Sequence, residues 1–129
     1  MTTIQIKREV PEQVLRDIFT TALEGGSNYW YWLPDNVDKL IAPAKEEGKF
    51  FVDTLFDAVY KHGVIIPIND VEEPTEQIGT LDRSMFDDRL QACIDNDSWA
   101  LEAELNEEGD AVSSDIVFQY LALGQVIYG

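Results

Sequence analysis

Apolar residues recur at helical spacing along the first quarter of the chain, with Val14, Leu15, Ile18, Phe19, Ala22 and Leu23 on one face. This predicts a helix from Pro11 to Glu24, with Pro11 suited to its first position and Gly25-Gly26 to its left-handed stop. Just before it, Thr3-Ile4-Gln5-Ile6-Lys7 alternates polar and apolar residues with the period of a half-buried strand. A second helix is predicted from Lys49 to His62, where Val52, Leu55, Phe56 and Val59 share a face and Gly63 follows. Ser84 can cap a third, from Met85 to Ile94, with Phe86, Leu90 and Cys93 among its inward residues. Ile116 to Leu123 is apolar nearly all round, which predicts a helix buried on most sides at the centre of the core. Asp110 or Ser114 can cap this last helix, and Gly124 stops it.

Between these helices the pattern changes. Asn28-Tyr29-Trp30-Tyr31-Trp32 is rich in strand-favouring residues and closes on the turn residues Leu33-Pro34-Asp35-Asn36. Asn36 to Ile41 fits a helical turn ended by Pro43. Val64-Ile65-Ile66-Pro67-Ile68 reads as a strand in which Pro67 demands an edge or strand-end position. Asn69 to Thr80, with Pro74 and Gly79, reads as a loop, and Gln125 to Tyr128 as one more strand. Trp99 to Leu105 fits a helical turn or a strand, and its alternation favours the strand. The sum is an α+β fold: one small domain over 1–129, with a short β-sheet packed by three to four helices.

Composition agrees with one domain and narrows its partners. A chain of 129 residues with 45% apolar content can bury one core. The formal net charge is −16, from 25 acidic and 9 basic side chains, and this field repels nucleic-acid phosphates and anionic lipid headgroups. No direct nucleic-acid or membrane partner is therefore expected. The charge is uneven: residues 1–68 hold ten acidic and seven basic side chains, whereas 69–115 hold fifteen and two, a net −13. The N-terminus lacks the basic and apolar regions of a signal peptide, and the lone Cys93 excludes an internal disulfide framework, so a reducing cytosol is expected.

Two segments are candidates for function. On a strand, Tyr29 and Tyr31 would face one side and Trp30 and Trp32 the other, so one pair could remain exposed as a stacking platform or protein anchor. The competing account is burial in the core. The acidic segment, above all Glu102, Glu104, Glu107, Glu108 and Asp110, can imitate nucleic-acid phosphates before a basic groove on a partner, or can simply keep the surface solvated. Asp95-Asn96-Asp97-Ser98-Trp99 lacks the spaced ligands of a calcium loop, and with only His62 beside Cys93 there is no zinc set. His62 suits the cationic end of its helix, and Gly25-Gly26-Ser27 follows a helix instead of opening one, so neither suggests catalysis or phosphate binding. No catalytic residue, metal or cofactor is expected, and the chain is not read as an enzyme.

The block Ala22 to Tyr31, ALEGGSNYWY, and the ending Ser114 to Gly129, with DIVFQYLALGQVIYG, resemble a group of small uncharacterised proteins of bacteriophages and bacterial mobile elements. The resemblance implies a phage accessory protein in the cytoplasm of a bacterial host, and no site residue. With the acidic segment, it suggests a non-enzymatic protein that binds a host protein and inhibits a defence or nucleic-acid-handling enzyme as a DNA mimic. The alternatives are a module that sequesters a nucleotide-type ligand on residues 29–32, and a structural phage protein that forms homo-oligomers.

Overall fold

A computed structural model describes Thr2 and residues 8–129; the strand expected at Thr3–Lys7 lies outside the described residues. The order of elements is α1 (Glu12–Thr21), β1 (Tyr31–Trp32), α2 (Val37–Ile41), α3 (Phe51–Tyr60), β2 (Ile66–Asp70), β3 (Gln77–Leu81), α4 (Phe86–Leu105) and α5 (Ala111–Leu123). Four longer helices and the five-residue α2 surround one antiparallel sheet of order β1-β2-β3, which establishes the α+β class.

The all-round apolar segment is the central helix. Val117, Phe118, Tyr120, Leu121 and Ala122 are buried, and α5 packs on α4, α1, the turn after α1 and β3. Asp110 is its N-cap: the Asp110 carboxylate accepts from Ser113 N–H at 2.9 Å, and Ser113 Oγ accepts from Asp110 N–H at 2.8 Å. This reciprocal box satisfies donors that the first helical turn leaves open. At the other end Gly124 takes φ 81°, a left-handed conformation that favours glycine.

Arg16 of α1 fastens that helix to two carboxylates of α3. Asp57 receives Arg16 at 2.7 Å and Lys49 at 2.6 Å, while Arg16 also reaches Asp53 at 3.0 Å and lies 4.6 Å from the centroid of the Phe56 ring. Burial alone would raise the Asp57 carboxyl, but hydrogen bonds and charge from Lys49 and Arg16 hold it below its ordinary value.

Several sequence expectations are corrected. Only Tyr31–Trp32 of the aromatic run is strand, because Asn28–Trp30 forms a turn in which Trp30 N–H donates to Ser27 O at 3.2 Å. The segment at 69–80 is not all loop: β3 pairs with β2 through Ile68 opposite Gly79 and Pro67 opposite Thr80. Gly79 lets this strand lie flush on the central helix, since a Cβ would come 2.3 Å from Ala122 O. β2 is the middle strand, but Pro67 stands near its start and beyond the reach of β1, which pairs only with Asn69 and Asp70. Pro43 sits within a short 3₁₀ turn, Ala42–Ala44, that prolongs α2.

The helix predicted to end at Ile94 runs a little further to a kink at Asp97 (φ −141°, ψ 49°) and helix resumes beyond it to Leu105, so Trp99–Leu105 is helix and not strand. Its entry is capped by Asp82, whose carboxylate accepts from Ser84 N–H at 3.0 Å, in place of the Ser84 cap expected. Gln125–Tyr128 forms no strand either. Ile127 N–H and Tyr128 N–H both donate to Gln119 Oε1, at 2.9 and 3.0 Å, and the Tyr128 ring stacks on Trp30 at 5.4 Å. Among the described residues no helix is long and apolar enough to cross a membrane.

Candidate functional site

The aromatic segment is organised by a buried carboxylate of the central helix. Asp115 Oδ1 accepts from Ser27 Oγ at 2.7 Å and from the Trp30 indole N–H at 2.8 Å; Oδ2 accepts from Gln119 Nε2 at 3.1 Å and from the Tyr29 hydroxyl. Gln119 Nε2 also donates to Tyr128 O at 3.0 Å. Every buried side-chain polar atom among the described residues has a partner, as burial away from water demands. The two sequence blocks 22–31 and 114–129 thus meet in one hydrogen-bonded network.

This network decides which aromatics are displayed. Trp30 and Tyr31 are buried, whereas Tyr29 is 51% and Trp32 49% exposed, so the alternation expected of a five-residue strand does not occur. Tyr29 turns its hydroxyl inward while its ring stays half in solvent. Burial of that hydroxyl, then the hydrogen bond and charge of Asp115, push the phenol up to about 12. Tyr31, whose hydroxyl donates to Leu23 O at 3.2 Å and Asn28 Oδ1 at 3.0 Å, is pushed up to about 12 by burial. Neither phenol is suited to act as a base near neutrality.

Beside Tyr31 and Trp32 runs an open groove of about 490 Å³. Leu23, Tyr31, Trp32, Leu33, Pro34 and Val37 supply its apolar walls, with Asn28 and Asp35 as the polar groups. Among the described residues no lysine or arginine lines it. A smaller depression of about 190 Å³ contains Lys45 and Lys49, but the Lys49 ammonium is already engaged by Asp57.

The acidic candidates divide into structural and displayed residues. Glu104 is partly buried, and its Oε1 accepts from Ser113 Oγ and Ser114 Oγ, both at 2.7 Å, so it braces the turn between α4 and α5. Asp110 is the α5 cap, and the hydrogen bond from Ser113 N–H to its carboxylate lowers its pKa. Glu102, Glu107 and Glu108 are exposed; Glu102 stands 3.8 Å from Arg8. Other exposed carboxylates stand between β2 and β3, at Glu72, Glu73 and Glu76, and along α4, where Asp88, Gln91 and Asp95 are exposed before the kink at Asp97 and Trp99 and Glu102 after it. Trp99, 53% exposed, therefore stands among carboxylates.

The sequence reading placed Trp99 in an ambiguous segment and did not single out Asp115 or Gln119. The usable signal for the latter two was polarity: Asp115 opens an apolar helix and Gln119 interrupts it, where a buried polar group must find partners. Cys93 is buried, and burial followed by the charge of Asp97 pushes its thiol up to about 12, which leaves it unreactive. No cluster of three or more His, Cys, Asp or Glu side chains arranged to hold a metal occurs among the described residues. No protein-family model, curated protein or solved structure matches the chain.

Proposed function

We propose that this chain is a non-enzymatic binding protein whose α4 engages a basic surface on a protein partner. The observation that carries the reading is the set of exposed side chains along α4, with Asp88 and Asp95 before the kink at Asp97 and Trp99 and Glu102 after it. The two helical stretches of α4, before and after the kink at Asp97, carry these side chains, and carboxylates so displayed can meet a groove built for a phosphate backbone. Carboxylates alone would give long-range steering and weak affinity, whereas an exposed tryptophan within them supplies the apolar anchor that interfaces concentrate their energy on.

The partner class follows from the charge. A surface that binds nucleic acid carries the basic groups that a chain of net charge −16 would complement. Together with the phage-protein resemblance, this favours a nucleic-acid-handling enzyme of a bacterial host, inhibited in the cytoplasm by occupation of its groove. Trp99→Ala should weaken the complex by about 30-fold or more, the usual effect of losing a central aromatic anchor. Reversal of Asp88, Asp95 and Glu102 to lysine should slow association and reduce its salt dependence. Unchanged binding by both variants would eliminate α4 as the interface.

A further inference from the structure

The groove beside β1 has a composition that selects by charge. Its apolar walls include the exposed face of Trp32 and the ring of Tyr31, which is fixed from behind by its hydroxyl bonds to Leu23 O and Asn28 Oδ1. Among the described residues Asp35 is its one charged lining residue and forms no ion pair. We propose that this groove is a binding site for a small organic cation, an amine carried on an apolar or aromatic body.

Three physical arguments converge on that ligand class. A volume of about 490 Å³ lies within the range of small-molecule sites. An ammonium placed against an indole face gains from the ring quadrupole, and a neighbouring carboxylate adds Coulombic attraction. A nucleotide is disfavoured: its phosphates would find no lysine or arginine among the described lining residues and would enter the field of a chain with net charge −16. The site shares no residue with the exposed α4 set and goes beyond the partner-binding reading, so either can fail without the other.

The test is a titration of the full chain with 2-phenylethylammonium, 3-phenylpropanol, 3-phenylpropionate and adenosine monophosphate, followed by NMR of the indole N–H signals. The expected result is a saturable shift of the Trp32 signal that leaves Trp99 unmoved, with affinity in the order cation, neutral alcohol, anion. Asp35→Asn should weaken the cation by about threefold, as for an exposed ion pair, and leave the alcohol unchanged. Trp32→Phe keeps an aromatic wall and should weaken the cation by about twofold to fivefold. The proposal is overturned if the alcohol or the nucleotide binds as tightly as the ammonium, if Asp35→Asn leaves the cation's affinity intact, or if no saturable Trp32 shift develops.

Discussion

Asp115 illustrates how one buried side chain can set the display of a segment far away in sequence. Its carboxylate gathers donors from Ser27, Tyr29, Trp30 and Gln119, and so forces the 27–31 chain into a turn with Trp30 inward and Tyr29 half out. Asp115→Ala would strand the Ser27 hydroxyl and the Trp30 indole N–H in the core, and should cost about 2–4 kcal/mol in urea unfolding. The same region fixes an alkaline limit. Tyr29 and Tyr31 have folded-state values of about 12, above the ordinary tyrosine value near 10. Their protonated forms therefore contribute stability that is complete below about pH 10 and fades as the pH rises through about 12. Denaturant midpoints taken across that window should fall, and Tyr29→Phe should make the fall shallower. Residue types announced the aromatic cluster, but not its arrangement. Alternation along a strand was the wrong rule for 28–30, because a side-chain network outcompeted the backbone ladder.

Helices were the most legible elements. α1, α3 and α5 lie where apolar spacing places them, since each buries a face that its sequence marks. The extension of α4 was obscured by an apolar–polar alternation from Trp99 to Leu105. Ala, Leu and Glu, the strong helix formers that dominate this stretch, were the better guide, and strand-favouring β-branched residues are absent from it. Helix also separates two side chains that a strand would put on one face: Leu101 is buried and Trp99 is exposed. Accordingly, Leu101→Ala should cost about 2–4 kcal/mol, whereas Trp99→Ala should stay within about 0.5 kcal/mol, as chemical denaturation of the two variants would report. β3 was hidden for a different reason. Gly79 resembles turn chemistry in the sequence, yet it is there because β3 presses on the Ala122 carbonyl. Gly79→Ala should cost about 1–3 kcal/mol by forcing strand and helix apart, again measured by denaturation.

At the scale of the whole molecule, charge is the property the sequence declares most plainly, and folding sorts it by role. Asp57, Asp115 and Glu104 are spent internally, on α1–α3 docking, on the aromatic turn and on the α4–α5 turn. The exposed carboxylates of α4 remain outside. A surplus of −16 repels itself, so moderate salt should raise the thermal midpoint while it weakens the proposed partner complex, a pair of opposite responses that calorimetry and binding assays can read on the same sample. Composition could not reveal which acids are displayed, because that depends on serine hydroxyls and basic side chains brought near only by the fold.

On the proposed reading, the exposed carboxylates of α4, with Trp99 among them, bind a basic protein surface that otherwise holds nucleic acid. The most direct measurement is parallel capture from bacterial lysate with the wild-type chain and with the Asp88→Lys/Asp95→Lys/Glu102→Lys variant, at low and high salt, with duplex DNA as competitor. The account predicts a protein retained by the wild type at low salt, released by DNA or high salt, and lost from the charge-reversed variant. Equal retention by both chains, or retention that neither salt nor DNA disturbs, would contradict it.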